Sequence, residues 1–261
     1  MASDDVTRRL DEVRWSTEGL LDALRERPPT DSWARQPSLL PGWTRGHVLS
    51  HLALNAEAMM RTLSGTVRGE KIPMYDSEDA RAADIEAGAG RPAAELAADV
   101  TDSAGRLELT WSRLDDADWQ HDAVTREGAV PAIRLVGMRW REVEIHRVDL
   151  ADRYGPGDWP ASFVAPLLPS LLDPRRIGPR LPSGLTVEVV NTDSGQRWLV
   201  GADVPAAAGT ARSTRAAAVR SAAAPPVRVV GPSWALVSWL IGRPTAVRAE
   251  LGELPALRAW S

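Results

Sequence analysis

Two segments of the chain combine residue types and spacings that suit metal binding. Glu142 and His146 stand four residues apart, so in a helix both side chains project from one face. In an earlier segment, His47 and His51 have the same spacing. Imidazole nitrogens and carboxylate oxygens bind Zn²⁺, and Fe²⁺, Ni²⁺ or Mn²⁺ can occupy similar ligands. The pattern therefore predicts a metal site between two helices.

The spacing leaves the number of protein ligands open. His51, Glu142 and His146 would leave one position for water or a reacting atom, as catalytic sites do. Adding His47 would complete a set of four ligands and make the site structural. His121, the remaining histidine, lies in an acidic connection and is expected to have no such role.

The predicted ligands must be positioned by long helices. Residues at intervals of three and four mark the buried face of a helix over about 131–153, and Glu142 and His146 lie within that stripe. Thr44 is a suitable N-cap for the other ligand-bearing helix, which is predicted to end near Leu63. Further helices are predicted over 4–26, 77–87 and 92–111, with a loop over 65–76 and a polar connection over 115–130. Four long helices joined in this way favour a bundle.

The run of glycine and proline around Tyr154–Pro160 predicts a domain boundary. We therefore divide the chain into a helical domain, 1–154, and an α/β domain, 160–261. In the second domain, helices are predicted over 162–172 and 233–241 and strands over 185–190, 197–200 and 227–230. Residues 206–224 form a low-complexity insertion of mainly alanine, arginine, serine and threonine.

Composition excludes several classes of function. The 31 basic and 35 acidic residues give a net charge of −4, so no basic field favours nucleic acid or an anionic membrane. There are no cysteines, which rules out disulfides, cysteine-bound zinc and a cysteine nucleophile, so any thiol must come from outside the chain. The acidic N-terminus is unlike a signal peptide and no apolar run could span a bilayer, so we expect a cytoplasmic protein.

Three stretches resemble the mycothiol-dependent maleylpyruvate isomerase family of DinB-like bundle proteins. They are Gly42–Ala53, Pro73–Tyr75 and Arg141–Leu150, and Gly231–Arg243 is similar to the second domain of that family. The resemblance covers most of the chain. It implies an α+β fold, with an N-terminal DinB-like four-helix bundle followed by a smaller α/β domain similar to sterol-carrier folds.

The resemblance also implies roles for individual residues. It assigns zinc to His51, Glu142 and His146 and leaves His47 outside the site. It places a functional arginine of the second domain on Arg243, although a charge at the end of a helix would be an equally ordinary role. Tyr75 lies in the matching loop and could contact the substrate or the thiol, or simply pack at the surface. Arg45 and Arg141 are predicted either to bind the thiol or to be structural.

By resemblance, the cofactors are Zn²⁺ and mycothiol, and the protein isomerises maleylpyruvate to fumarylpyruvate in gentisate degradation. The thiolate would add reversibly to the cis double bond of this small dicarboxylate, allow rotation, and leave the trans product. Two alternatives remain. The protein could be a mycothiol S-transferase acting on another electrophile, or a non-enzymatic ligand-binding protein whose metal is structural. We expect a monomer without nucleic-acid or membrane partners.

Overall fold

The computed structural model describes residues 2–201, 225–250 and 252–258, and the chain divides into two compact units, 1–154 and 155–261. The low-complexity segment 206–224 lies outside the described residues. None of the described helices is both long enough and apolar enough to cross a membrane.

The first unit is a helical bundle with one small hairpin. In chain order its elements are α1 (Ala2–Glu26), α2 (Asp31–Ala34), α3 (Arg45–Arg68), α4 (Glu78–Ala89), α5 (Ala93–Trp111), β1 (Asp122–Thr125), β2 (Gly128–Pro131) and α6 (Ile133–Asp149). Helices α1 and α3 each pack against both α5 and α6. These four long helices therefore pack together, which confirms the predicted bundle.

Helix α3 runs further than its sequence pattern predicts. Thr44 caps its first turn as expected. The predicted end near Leu63 is wrong, because α3 continues for another turn and closes at Gly69, whose φ of +71° favours glycine. Gly65 lies inside this helix rather than in a loop. A β-carbon there would stand 2.8 Å from the Glu70 carbonyl oxygen, so glycine allows the following chain to pass close to the helix.

The connection over 115–130 contains the antiparallel hairpin of β1 and β2, where the sequence pattern indicated only a polar connection with an extended turn. Strand β1 also contacts the loop that precedes α4. Pro73 forms a bridge to Val124, and the Met74 amide donates to the Val124 carbonyl oxygen at 3.2 Å. These contacts fix the loop that carries Tyr75.

Helix α6 is shorter than the predicted range of 131–153. It ends at Asp149 because Ala151, two residues later, adopts a left-handed φ of +51° that breaks the helical path. The side chain of Arg45 donates to the Ala151 carbonyl oxygen at 2.9 Å and holds this turn against the start of α3.

A polar layer separates two apolar clusters inside the bundle. One cluster includes Leu49, Leu52, Val100 and Val143, and the other includes Met59, Leu63, Leu107 and Leu135. Between them, α3 presents His51 and Asn55, while α6 presents Arg139 and Glu142. Buried polar groups cost stability unless they are paired. This layer is therefore the place in the bundle where function is most expected.

The second unit contains a mixed sheet and two longer helices. In chain order its elements are α7 (Ala161–Leu171), α8 (Pro174–Ile177), β3 (Thr186–Asn191), β4 (Arg197–Gly201), β5 (Val227–Gly231), α9 (Ser233–Leu240) and β6 (Arg248–Ala249). The strand order is β4-β3-β5-β6; β3 pairs antiparallel with β4 and parallel with β5. The predicted helices and three predicted strands are present, while α8 and β6 were not predicted. The α+β class is confirmed.

Candidate metal centre

His51, Glu142 and His146 meet in the polar layer of the first unit. Glu142 Oε2 lies 2.8 Å from His51 Nε2 and 3.1 Å from His146 Nε2. One ligand atom from each of the three residues lies within 4.8 Å of the other two. The two imidazole rings stand nearly perpendicular, with centroids 4.6 Å apart. Helices α3 and α6 therefore bring two nitrogen donors and one carboxylate to a common point, as the spacing predicted.

Asp149 orients the imidazole of His146 from behind. Its side chain is fully buried, and its Oδ2 accepts a hydrogen bond from His146 Nδ1 at 2.9 Å. Glu142, His146 and Asp149 share one face of α6 because they are spaced by four and three residues. A carboxylate on Nδ1 leaves Nε2 to face the cluster, the arrangement commonly found behind metal-bound histidines.

Arg81 and Trp43 surround the ring of His51. A terminal nitrogen of Arg81, on α4, donates to His51 Nδ1 at 3.2 Å. The Trp43 ring meets the imidazole edge at a centroid distance of 5.7 Å. His51 itself is almost completely buried, at 2% exposure. The sequence analysis did not identify Arg81, because no spacing relation links α4 to the histidine pairs.

His47 is not part of the cluster, so the four-ligand alternative is wrong. Its Nδ1 accepts a hydrogen bond from the Thr44 backbone amide at 3.1 Å and lies 2.7 Å from the Thr44 hydroxyl. Its Nε2 donates to Glu86 at 3.0 Å. Nδ1 therefore serves the beginning of α3, where His47 completes a capping box, and Nε2 contacts α4.

The three groups of the cluster differ in protonation. Burial lowers the pKa of His51 to about 4, against the opposing effect of Glu142. Burial also acts to lower the pKa of His146, but its hydrogen bonds to Asp149 and Glu142 outweigh this and raise it to about 9. Burial would raise the pKa of Glu142, yet the hydrogen bonds from both histidines hold it well below its usual range. At neutral pH the cluster holds one imidazolium, one neutral imidazole and one carboxylate.

The residues fit a divalent cation with an open coordination position. Two imidazoles and a carboxylate are a common ligand set for catalytic zinc. The side chain of Glu142 is 29% exposed and that of His146 is 14% exposed, whereas His51 is enclosed. Solvent therefore reaches the cluster from the α6 side. A cation held there would keep access to a small molecule.

Tyr75 and Arg81 line a pocket of about 300 Å³ whose wall is formed by α3, α4 and the loop before α4, and does not include the three residues of the cluster. The Arg81 guanidinium lies 5.6 Å from the centroid of the Tyr75 ring. Burial raises the pKa of the Tyr75 hydroxyl, while Arg81 and Asn55 act as hydrogen-bond partners that partly oppose the shift. Glu142 is close enough to contribute to the same shift. Tyr75 thus stays protonated at neutral pH, next to the candidate metal ligands.

Arg139 is a buried member of this site that the sequence analysis missed. It is 1% exposed, and one terminal nitrogen donates to the Leu52 carbonyl oxygen at 2.8 Å and to Asn55 Oδ1 at 2.9 Å. Burial lowers its pKa to about 10, so the group remains charged at neutral pH. Its position three residues before Glu142, on the same helix face, was the available signal.

The other predicted arginines lie elsewhere. Arg45 donates to Gln36 at 2.7 Å and to Ala151, so its described contacts are structural. Arg141 is half-buried on α6 beside Glu142. Arg243 follows α9 in the second unit and donates from its side chain to the Ile241 carbonyl oxygen at 2.8 Å. Contacts of these arginines with a thiol or a substrate stay predictions.

A second buried carboxylate on α6, Glu144, also escaped the sequence analysis. It is 1% exposed and accepts hydrogen bonds from Ser16 of α1 and from the Tyr154 hydroxyl. Trp140 Nε1 donates to the same Ser16 hydroxyl at 2.8 Å. Glu144 therefore joins α6 to α1, on the side of α6 away from Glu142.

Comparison with known proteins relates this arrangement to one family. The family model described as the mycothiol maleylpyruvate isomerase N-terminal domain matches residues 15–151 of the 261-residue chain. A crystal structure of the mycothiol-dependent maleylpyruvate isomerase matches with a TM-score of 0.80 and 27% identity, over 98% of this chain and 97% of that chain. A histidine-to-alanine mutant of that isomerase matches equally well. No match was found among curated protein sequences.

The matched segment 15–151 contains all three residues of the cluster, together with Tyr75, Arg81 and Asp149. The chain therefore belongs to the family defined by the N-terminal domain of mycothiol maleylpyruvate isomerase.

Proposed function

We propose that this protein isomerises maleylpyruvate to fumarylpyruvate with Zn²⁺ and mycothiol as cofactors. The observation that carries the proposal is the open triad of His51, Glu142 and His146 within a chain that matches the solved isomerase over 98% of its length. The absence of cysteine agrees with it, because the reacting sulfur would come from mycothiol.

Zinc and the thiol have separate functions in this proposal. A Zn²⁺ ion held by His51, Glu142 and His146 would stabilise the thiolate of a coordinated thiol, which when free has a pKa of about 8.5 and is mostly protonated at neutral pH. Asp149, through its hydrogen bond to Nδ1, would keep His146 Nε2 directed at that ion. Trp43 and the apolar clusters shield His51, which strengthens electrostatic interactions at the site.

The substrate has a cis double bond conjugated to a carbonyl group. Mycothiol would supply a thiolate whose addition to one alkene carbon moves the π electrons to the carbonyl oxygen, so that the former double bond becomes single and can rotate. Loss of the same thiolate would return the electrons and leave the double bond in the trans geometry. Tyr75, kept protonated by its burial, would donate a hydrogen bond to the oxygen on which the charge develops.

The test is to incubate zinc-loaded protein with maleylpyruvate and mycothiol and to follow product and total free thiol together. We expect fumarylpyruvate to form while the thiol concentration stays constant over many turnovers. Protein without mycothiol, and mycothiol without protein, serve as controls.

Two other results would overturn the isomerase proposal. Loss of free thiol without isomerisation, with a conjugate as product, would identify an S-transferase. No reaction of either kind by zinc-loaded protein would favour a binding protein. Arg243, at the end of α9, remains a candidate for binding substrate; if that is its role, Arg243→Lys should raise the KM for maleylpyruvate while leaving the zinc content unchanged.

A further inference from the structure

Arg81 is a cation beside the candidate metal site with no partner carboxylate. Its guanidinium contacts His51 Nδ1 at 3.2 Å and lies over the ring of Tyr75, and Arg81 also belongs to the wall of the pocket of about 300 Å³. No carboxylate oxygen lies within 4.0 Å of it in the described part of the chain. Its charge is therefore not neutralised by an ion pair with the residues around it.

Three of the four other charged side chains of the pocket wall have an ion-pair partner among the described residues. Arg61 forms an ion pair with Asp76, and Glu57 forms one with Arg106 at 2.7 Å. Asp84 is exposed and makes no ion pair with Arg81, although the two residues are three apart on α4. Arg81 is thus the wall cation that both borders the metal ligands and lacks a carboxylate partner.

Arg139 adds a second positive charge near Tyr75. One of its terminal nitrogens, NH2, is buried and has no hydrogen-bond partner among the described residues. Glu142 and Tyr75 are both close enough to interact with its charge. A buried guanidinium with an unused donor is costly, and an anion nearby compensates for such a group. Arg81 and Arg139 thus place two positive charges near Tyr75, against the one negative charge of Glu142.

We propose that Arg81 binds one carboxylate of the substrate and so determines the preference of the site for dicarboxylates. This inference rests on the proposed function. It assigns a carboxylate contact to the first unit, whereas the family resemblance places a functional arginine on Arg243 of the second unit. The planar guanidinium can form two parallel hydrogen bonds to a carboxylate, and the Tyr75 ring lies 5.6 Å from it.

The contact of Arg81 with His51 is compatible with this role. An imidazole that gives Nε2 to a metal carries its proton on Nδ1. Nδ1 then no longer accepts a hydrogen bond from Arg81, and the guanidinium is available to a substrate carboxylate. Loss of Arg81 should consequently leave zinc binding intact or strengthen it.

The test compares zinc-loaded wild-type protein with Arg81→Gln, Arg81→Lys and Arg61→Gln. Zinc content, steady-state kinetics with maleylpyruvate, and calorimetric binding of maleate in the absence of thiol are measured for each. We expect Arg81→Gln to raise both the KM and the maleate Kd by about 10- to 100-fold, because a charged hydrogen-bonded pair is lost. Arg81→Lys should recover part of the affinity, and Arg61→Gln should have a much smaller effect because Arg61 is already paired.

Each contrary result has a distinct meaning. If maleate does not bind the wild type, or binds Arg81→Gln equally well, the carboxylate contact is wrong. If Arg81→Gln loses its zinc, Arg81 supports His51 rather than the substrate, and the inference is overturned. Maleate binding that depends on Arg81 in a protein that does not isomerise maleylpyruvate would support the contact and reject the proposed function. If Arg81→Gln isomerises maleylpyruvate with the same kinetics as the wild type, the proposed function is supported and the carboxylate contact is rejected.

Discussion

The Asp149 carboxylate lies 2.9 Å from His146 Nδ1 and is completely withdrawn from solvent. The pair occupies the last turn of α6, one turn beyond Glu142. Because the carboxylate fixes the ring, His146 presents Nε2 to the cluster in one orientation. The folded chain therefore sets the orientation of this candidate ligand without a bound metal ion.

Asp149→Asn should weaken zinc binding by about 10- to 100-fold, the usual cost of losing a partner of a metal-bound histidine. The amide keeps the shape of the carboxylate but removes the charge that favours a basic imidazole. Competition with a chromogenic chelator measures the affinity, and thermal unfolding of the metal-free proteins shows whether the fold is affected. Unchanged affinity would mean that Asp149 does not orient His146.

His51→Ala should abolish stoichiometric zinc binding and turnover while leaving a folded protein. The control is His47→Ala, which should retain zinc because His47 contacts Thr44 and Glu86 instead of the cluster. Loss of the His47 half of the capping box at the start of α3 should cost up to about 1 kcal/mol in the free energy of unfolding, because Thr44 still caps the helix. Metal analysis, circular dichroism and denaturant titration distinguish the two variants. Loss of zinc from His47→Ala would contradict the site described here.

Zinc affinity should rise with pH by about tenfold per unit from pH 6 to about 9, because one proton must leave His146 before its Nε2 can bind. The sign follows from the raised pKa: the metal-free protein is protonated at His146 below about pH 9 and must release that proton. His51, with a pKa of about 4, is already neutral in this range and adds no dependence.

Calorimetry in buffers with different ionisation enthalpies gives the number of protons released by zinc. We expect about one at pH 7. Release of no proton would show that His146 is neutral in the metal-free protein. Asp149→Asn should move the upper limit of the pH dependence to lower values, because the hydrogen bond to Asp149 helps to raise this pKa.

Tyr75→Phe should lower kcat by about 100-fold with little change in KM or zinc content, as expected for a donor that acts on developing negative charge. The substitution removes only the hydroxyl and keeps the ring over which the Arg81 guanidinium lies. The kinetic pattern should therefore be opposite to that of Arg81→Gln. A change in KM alone would place Tyr75 in substrate binding instead.

Glu144→Ala should destabilise the fold by about 2–3 kcal/mol without changing zinc affinity, because buried hydroxyl donors on Ser16 and Tyr154 lose an acceptor. Denaturant unfolding and chelator competition measure the two properties separately. Glu142→Gln is the matched comparison, since it should weaken zinc binding far more than it changes stability. Loss of zinc affinity in Glu144→Ala would mean that the zinc ligands on one face of α6 require the Glu144 contacts on the other face.

The sequence was informative where one helix carried several functional groups. The spacing of Glu142, His146 and the stripe around them predicted the face of α6, and Thr44 predicted the start of α3. Arg81 and Asn55 could not be assigned roles in this way, because their contacts arise from packing between separate helices. Gly65 was wrongly predicted to begin a loop for a related reason. It is a glycine because residues that follow the helix pass close to it, and this contact cannot be predicted from the local sequence pattern.

Glu142 and Glu144 are only two residues apart, yet they point to different neighbours of α6. Two helical steps turn the side-chain direction by about 200°. The first carboxylate meets α3, and the second meets α1. Helix α6 is consequently locked against rotation about its own axis. Inserting or deleting one residue between these carboxylates would turn one of them away from its partners. Transferring the candidate metal centre into another helical bundle would therefore require both the contact of Glu142 with α3 and the contact of Glu144 with α1.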